Sequence, residues 1–360
     1  MRPWKCSPDA DRLSAEALSL GEDLDVDASQ LGDLMTIRGI YLGLTDRRPR
    51  AIGYLRESAR LAERAGDTLT LGTALLNLSY ALDTTDLRGA VDTARTAAGH
   101  LRRVGAREQL ASVIANIADL LIGLGDWEGA ETELTQAVGS DALGDSENLA
   151  AHRGWLAALR GDAGTAETML AALRNLRTSE APQDQSQVSL VEAFTAAARG
   201  QHIDALRSAR AALARAGAIG ISHPNLRWAW PLAARVAYEL RDTATTDVLL
   251  AQLDAQQPGH LAPMLRAERA LARARQAAYH RNQAVPAAFT TAITSLREDS
   301  TPYHLAHGLL DHAEHLAFLG DADAAQLAIY EARDIGHRLH CQPLLDRAAS
   351  MTPAEPKTPA

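Results

Sequence analysis

Four side chains able to bind a metal or move a proton fall in one row of the stretch PYHLAHGLLDHAEHLAFLGD. They are His304, His307, Asp311 and His315, at spacings of three, four and four. On a helix those spacings put all four along one face, and His337, His340 and Cys341 follow a hairpin later. Imidazole nitrogen, carboxylate oxygen and thiolate sulfur are the donors of zinc sites. A helical wheel, however, sets Leu305, Leu309, Ala313 and Leu316 opposite the row. The row is therefore expected to face away from its own core, as a solvated helix face. No metal is assigned; His304, His307 and His315 are the only candidates, for zinc or for a pH-sensitive contact.

Other chemistry is thinner still. Ser222-His223-Pro224 sets a serine beside a histidine, but a triad is made by geometry and a third orienting group, and Ser222 ahead of Pro224 reads as a helix start. Trp228, Trp230 and Tyr238 read as core rather than a ligand cage, because large rings at helical spacing bury. Lysine occurs only at Lys5 and Lys357. A phosphate-cradling loop ending in Lys-Ser or Lys-Thr is thereby excluded from the rest of the chain, as is a Schiff-base lysine. No catalytic residue and no cofactor is assigned, and the chain is not expected to be an enzyme.

The elements that carry these residues show in ANIADLLIGLGDWEGAETELTQAV, Ala115–Val138. Ile114, Ile117, Leu120, Leu121 and Leu124 recur at helical spacing, and Gly125 supplies a left-handed stop. Asp126 can then cap the next helix, with Glu128 at its positive end, and Ala130, Leu134, Ala137 and Val138 form that helix's apolar side. So short a turn makes the two helices antiparallel. The same punctuation returns at Asp86, Asp162, Gln201, Asp242, Asn282 and Asp321, giving intervals of 36 to 41 residues from Asp86 onward. A small residue follows four positions later in the clearest copies, Ala130, Ala166, Ala205 and Ala325, and weaker ones have Ala90, Thr246 and Pro286-Ala287. An earlier hairpin turns at Asp46, with Pro49 opening its second helix. One helical hairpin cannot bury its own apolar face, so the copies must stack.

Asn116-Ile117-Ala118, Gly125-Asp126 and Ala130, with Asn77-Leu78-Ser79-Tyr80, Gly154 and Trp230 at comparable places, resemble the tetratricopeptide-repeat pattern. The period is nearer forty than the thirty-four usual for that pattern, which implies longer helices. Alanine-rich runs such as YLRESARLAERAGD are also similar to the C-terminal arrays of bacterial signalling ATPases, including LuxR-type regulators and proteins with an attached nucleotide-cyclase domain. The resemblance implies an all-α fold, an α-α superhelix of about eight hairpins with a period near 40 residues. It also implies a concave wall built from the first helix of each pair. On that wall it places Asn77, Tyr80, Asn116, Asp119, His152, Trp155 and Asp311 as partner-binding residues. Asparagine suits such a wall, because its amide both donates to and accepts from an extended peptide.

Composition and charge narrow the partners. The 360 residues are 46% hydrophobic and only 4% aromatic, which suits close helix packing around alanine. A net charge of −9 argues against a nucleic-acid footprint, and pieces such as Leu101-Arg102-Arg103 read as solvated helix faces. Two cysteines, Cys6 and Cys341, stand near opposite ends and fit a reducing cytoplasm. No apolar run approaches the roughly twenty residues of a membrane helix, and the N-terminus lacks the apolar core of a secretion signal.

The expected organisation is a flanking helix within residues 1–30, a tetratricopeptide-like solenoid over 31–340, and a short helix and disordered tail over 341–360. The first helix, residues 9 to 24, is either a cap or the second half of a repeat whose first half is absent. The expected function is a non-enzymatic scaffold that binds a protein or peptide segment in its groove. The alternative is a regulatory arm of a multidomain ATPase, cyclase or LuxR-type regulator without its catalytic part.

Overall fold

The structure, a computed structural model, describes residues 8–45, 47–140, 143–257, 259, 261–280 and 285–351. Among the described residues every regular element is a helix. Helix α1 (Pro8–Asp23) precedes four hairpins: α2 (Ala28–Leu44) with α3 (Arg48–Ala65), α4 (Thr68–Leu82) with α5 (Leu87–Val104), α6 (Arg107–Leu124) with α7 (Trp127–Ser140), and α8 (Glu147–Arg160) with α9 (Ala163–Ala172). The short α10 (Arg174–Thr178) leads to α11 (Pro182–Ala198) and α12 (His202–Leu213), and α13 (Ala216–Ile219) to α14 (Pro224–Glu239) and α15 (Thr243–Asp254). Two more pairs follow, α16 (Pro263–Tyr279) with α17 (Val285–Asp299) and α18 (Pro302–Phe318) with α19 (Ala322–Leu339), then α20 (Gln342–Met351). This is the expected all-α, tetratricopeptide-like arrangement of eight helical hairpins, and no described helix is long and apolar enough to cross a membrane. The proposed tail, residues 352–360, the Asp46 turn and the Asn282 cap lie outside the described residues.

The local chemistry explains the turns. Gly125 sits at φ 83°, and the Asp126 N–H reaches back to the Leu121 carbonyl at 2.9 Å, which closes α6. Asp126 Oδ1 then accepts from the Gly129 N–H at 2.9 Å and opens α7. Asp86, Asp162, Asp242 and Asp321 do the same for Gly89, Thr165, Thr245 and Ala324. The residue four beyond each cap lies at the helix crossing: Ala90, Ala130, Ala166 and Ala205 have no exposed surface, and Thr246 and Ala325 are buried.

One hairpin departs from this register. Pro286 and Ala287, expected at the crossing of α16 and α17, are exposed; Val285 and Phe289 are buried instead, so α17 presents a face out of step with the Asn282 reading. Two breaks also go beyond the period. At Leu173, fully buried, α9 gives way to α10, whose first amides at Asn175 and Leu176 are capped by the Glu147 carboxylate at 3.0 and 2.8 Å. The extra residues per repeat are thus partly taken up by α10 and α13 rather than by longer helices alone.

The chain divides into two compact units. Unit 1 comprises Met1–Leu156, Glu167–Val191 and Ala211–Leu226; unit 2 comprises Ala157–Ala166, Glu192–Arg210 and Arg227–Ala360. In unit 1 each helix from α1 to α7 packs on the next, and the first helices of successive hairpins touch, α2 on α4 and α4 on α6. A contact of much longer range is also present there: Arg48 Nη2 donates to the Ser222 carbonyl at 3.4 Å, 174 residues away in sequence, and the Tyr80 and His223 rings lie 6.4 Å apart. In unit 2 the packing runs from α15 to α20 with α16 on α18, and the Cys341 thiol donates to the Leu159 carbonyl at 3.1 Å, a separation of 182 residues. Neither unit is held by nearest neighbours alone.

Candidate ligand groove and a buried polar cluster

Unit 1 contains a cavity of about 350 Å³ lined by side chains from successive first helices. From α2 come Gly39, Ile40, Gly43 and Leu44; from α4, Asn77 and Tyr80; from α6, Ser112 and Asn116; from α8, Asn148; and from α11, Gln183, with His223 preceding α14. Three of the expected wall residues, Asn77, Tyr80 and Asn116, are therefore brought together. Asn77 donates back to the Thr73 carbonyl at 2.8 Å, as a helical asparagine can, and its amide oxygen retains its capacity to accept. Asn116 is half-buried and makes no side-chain hydrogen bond among the described residues. The Arg48 guanidinium lies 5.2 Å from the centre of the Tyr80 ring and ion-pairs with buried Asp83, so the tyrosine is backed by a fixed cation.

The next amide layer is already knitted together. Gln187 donates to Asn148 Oδ1 at 2.8 Å, and His152 binds the Asn148 carbonyl through Nδ1 at 2.7 Å and Asp119 through Nε2 at 3.3 Å. Burial opposes charge on His152, but Asp119 and the Asn148 carbonyl outweigh it and raise the imidazole above its ordinary value. Asp119 and His152 are thus partners of each other beside the cavity. Trp155 is buried, edge-on to His152 with ring centres 6.4 Å apart, and does not line the cavity. Sequence reasoning missed Ser112, Asn148 and Gln183. The available signal was position: Ser112 and Asn148 stand one helical turn before Asn116 and His152 and so share their face.

The histidine row requires a correction. Every residue from Tyr303 to Asp311 is buried, so that stretch of α18 is covered on all sides and His304, His307 and Asp311 do not face solvent. A wheel finds one apolar stripe, and a second buried stripe made of histidines and a paired carboxylate is invisible to it. Asp311 belongs to no wall: its oxygens accept from Arg275 Nε at 2.7 Å and Arg347 Nη2 at 2.5 Å, and it is 3% exposed. His304 meets Thr301 Oγ1 at 2.6 Å and lies against Trp228 with ring centres 4.6 Å apart. Burial, then the charges of Arg235 and Arg275, push it down to about 3. Burial, Arg235 and Arg347 hold His307 well below its ordinary value.

His315 is separate, half-buried and stacked on Phe289 at 5.5 Å. Among the described residues no group of three or more His, Cys, Asp or Glu is placed to hold a metal, and the guanidiniums around His304 and His307 oppose a cation. The rings read as core are buried for Trp228 and Trp230, whose Nε1 donates to the Leu249 carbonyl at 3.1 Å; Tyr238 is half-buried. Helix α14 begins at Pro224, and His223 Nδ1 accepts from an opening amide, Asn225 N, at 3.3 Å.

The fold defined by these hairpins is all-α and tetratricopeptide-like. No family model matches the chain, and no curated protein does. Among solved structures it is similar to the apo form of the quorum sensor NprR from B. thuringiensis, at 14% identity over 91% of this chain and 82% of that one, with a TM-score of 0.42. It is also similar to a tetratricopeptide repeat protein from Parabacteroides merdae, at 12% identity over 95% and 99% of the two chains, with a TM-score of 0.36.

Proposed function

We propose that the chain is a non-enzymatic scaffold and that unit 1 binds an extended segment of a protein or peptide along the cavity lined by Asn77, Asn116 and Asn148. The observation that carries this reading is the repetition of neutral amides from α4, α6 and α8 on one cavity. Packed helices lie about 8–10 Å apart, and an extended peptide rises about 3.3 Å per residue. Successive amides therefore meet roughly every third residue of a strand laid across the helices, and each can pair with its backbone in either sense. Ile40 and Leu44, with the bare backbone of Gly39 and Gly43, offer an apolar seat beside them. A cytoplasmic location belongs to the same proposal, supported by cysteines only at positions 6 and 341. The similarity of runs such as YLRESARLAERAGD to regulatory arms of signalling ATPases favours a second use of the same groove, as the sensing arm of such a regulator.

The test is selection of random extended peptides on the full chain, followed by affinity measurement on Asn77→Ala with Asn116→Ala. Two lost hydrogen bonds of about 0.5–1.5 kcal/mol each give an affinity loss of about tenfold or more, with the melting temperature unchanged. Peptides that bind the double variant as tightly as the original protein would remove the groove from the reading.

A further inference from the structure

Unit 2 holds a small cavity of about 10 Å³, lined in part by Arg235, Glu268, Arg275, Tyr303, His304 and His307. That is room for one occupant the size of a water molecule. Two of its wall atoms, Glu268 Oε1 and Arg275 Nη1, are buried without a hydrogen-bond partner, and both residues are 2% exposed. Leaving such atoms unmet is costly, and a charged one more so. Arg275 turns its other nitrogens, Nε and Nη2, to Asp311. Nη1 remains as a donor with no acceptor among the described residues.

The character of the wall selects the occupant. From α14 the cavity is faced by Arg235, which pairs with Glu239 at 3.1 Å, while the half-buried Tyr238 lies against Arg275 with 5.9 Å between guanidinium and ring centre. From α18 it is faced by Tyr303, raised by burial and so held as the phenol, and by the two neutral imidazoles; Asp311 stands behind them. Arg347 of α20 reaches Asp311 and, at 3.5 Å, His307 Nδ1, with Glu314 only at its exposed edge. The Cys341 thiol, pushed up to about 12 by burial, is uncharged. Burial also raises Glu268 to about 8, against the pull of Arg275. Below that pH, three guanidiniums meet two carboxylates, buried Asp311 and Glu239 at the exposed end of α14, while Glu268 is an O–H donor rather than a counter-charge. A water would serve the hydrogen bonds and leave the charge uncompensated. A cation meets guanidiniums, and a polyatomic anion exceeds the space.

We propose that this cavity binds one halide-sized monovalent anion, chloride in ordinary media, which accepts from Arg275 Nη1 and from the Glu268 carboxyl and enters together with a proton. Ionised Glu268 repels the anion and answers Arg275 itself, so proton and anion leave together. The site is independent of the groove in unit 1.

The experiment compares thermal unfolding of the full chain in sodium chloride, bromide and gluconate at equal ionic strength, with crystals soaked in bromide for anomalous scattering. Halides are expected to raise the melting temperature saturably at pH 6, with apparent affinity falling by up to about tenfold per pH unit above 8. Glu268→Gln keeps a donor at all pH values and should retain the halide response at pH 9; Glu268→Leu should lose it. Equal melting in bromide and gluconate, with no anomalous peak between Arg275 and Glu268, overturns the proposal. So does a halide response in Glu268→Gln that fades with pH as in the original protein. Should Glu268→Leu fail to fold, the anomalous peak and Glu268→Gln decide.

Discussion

The first helices of the two units are built to one grammar and finished in opposite ways. In α6 the buried set is apolar, from Leu110 to Ile122, while Ser112, Asn116 and Asp119 on the remaining face are only half-buried. In α18 the corresponding layer is sealed, and its polar residues satisfy one another through Arg275, Asp311 and Arg347. The turns, caps and crossing alanines are common to both. Hairpin geometry is thus set by a few residues around each turn, and the remaining face of the first helix is left at liberty. It can be half-buried amides, as around the unit 1 cavity, or buried charges paired largely with one another, as in unit 2.

The largest expected effect tests the sealed layer. Asp311→Ala strands two guanidiniums in the interior, and breaking a buried ion pair in this manner costs about 3–5 kcal/mol. Asn116→Ala, with no partner to strand, should stay within about 0.5 kcal/mol. Urea unfolding of the two variants measures the contrast directly; shifts of similar size would mean the two inner layers are alike.

A second pair of variants tests what the units share. Ala130→Leu and Ala325→Leu each push three carbon atoms into a closed crossing, one in each unit, and overpacking of this kind costs about 1–3 kcal/mol. The expected outcome by calorimetry is a comparable loss for both. A loss confined to one would show that the common spacing hides two different crossings.

The crossings were legible because they depend on local chemistry. Gly125, Asp126 and Ala130 signal a stop, a cap and a close approach in six residues, and the same six-residue signal located most of the hairpins. It slipped at Ala287, where no aspartate marks the cap. The groove was legible in part, since Asn77 and Asn116 follow from the period, while Gln183 and His223 reach the cavity through the placement of α11 and of the segment before α14. The sealed cluster was less so. His304 and His307 on α18 look solvated on a wheel, because one helix's pattern records only its own apolar stripe and not what a neighbouring helix brings to the other side; Glu268 and Arg275 share the apolar face of Met264 and Leu271 on α16, a signal present in the sequence but left unused.

Titration separates the units more finely. His152 is raised, so its contribution is complete below the unfolded value near 6.5 and declines as pH rises through the folded one. Glu268 is raised from 4.5 to about 8, so the folded state holds an extra proton between those values and stability again falls as pH rises through that window. In gluconate, Asp119→Asn should lower the His152 titration followed by NMR and flatten its share of the pH dependence. Glu268→Gln should flatten the other share and leave His152 unmoved. Either substitution altering both titrations would contradict two separate inner layers.

The smallest effect concerns the turns themselves. Unit 1 closes α3, α5 and α6 with left-handed glycines at 66, 105 and 125, and unit 2 uses Gly161, Gly200 and Gly320 in the same conformation, but Arg241 at φ 57° and His340 at φ 51° adopt it there as well. A side chain with a Cβ is strained there, and both side chains are exposed, so nothing in the packing requires them. Arg241→Gly should therefore stabilise the protein, but by only about 0.5–1 kcal/mol, because the added freedom of the unfolded chain offsets part of the relief. Gly125→Ala in unit 1 should move the midpoint of urea unfolding by a similar amount in the other direction. If Arg241→Gly is destabilising instead, the arginine side chain is held by a contact that its left-handed turn serves, one that the glycine turns of either unit do without.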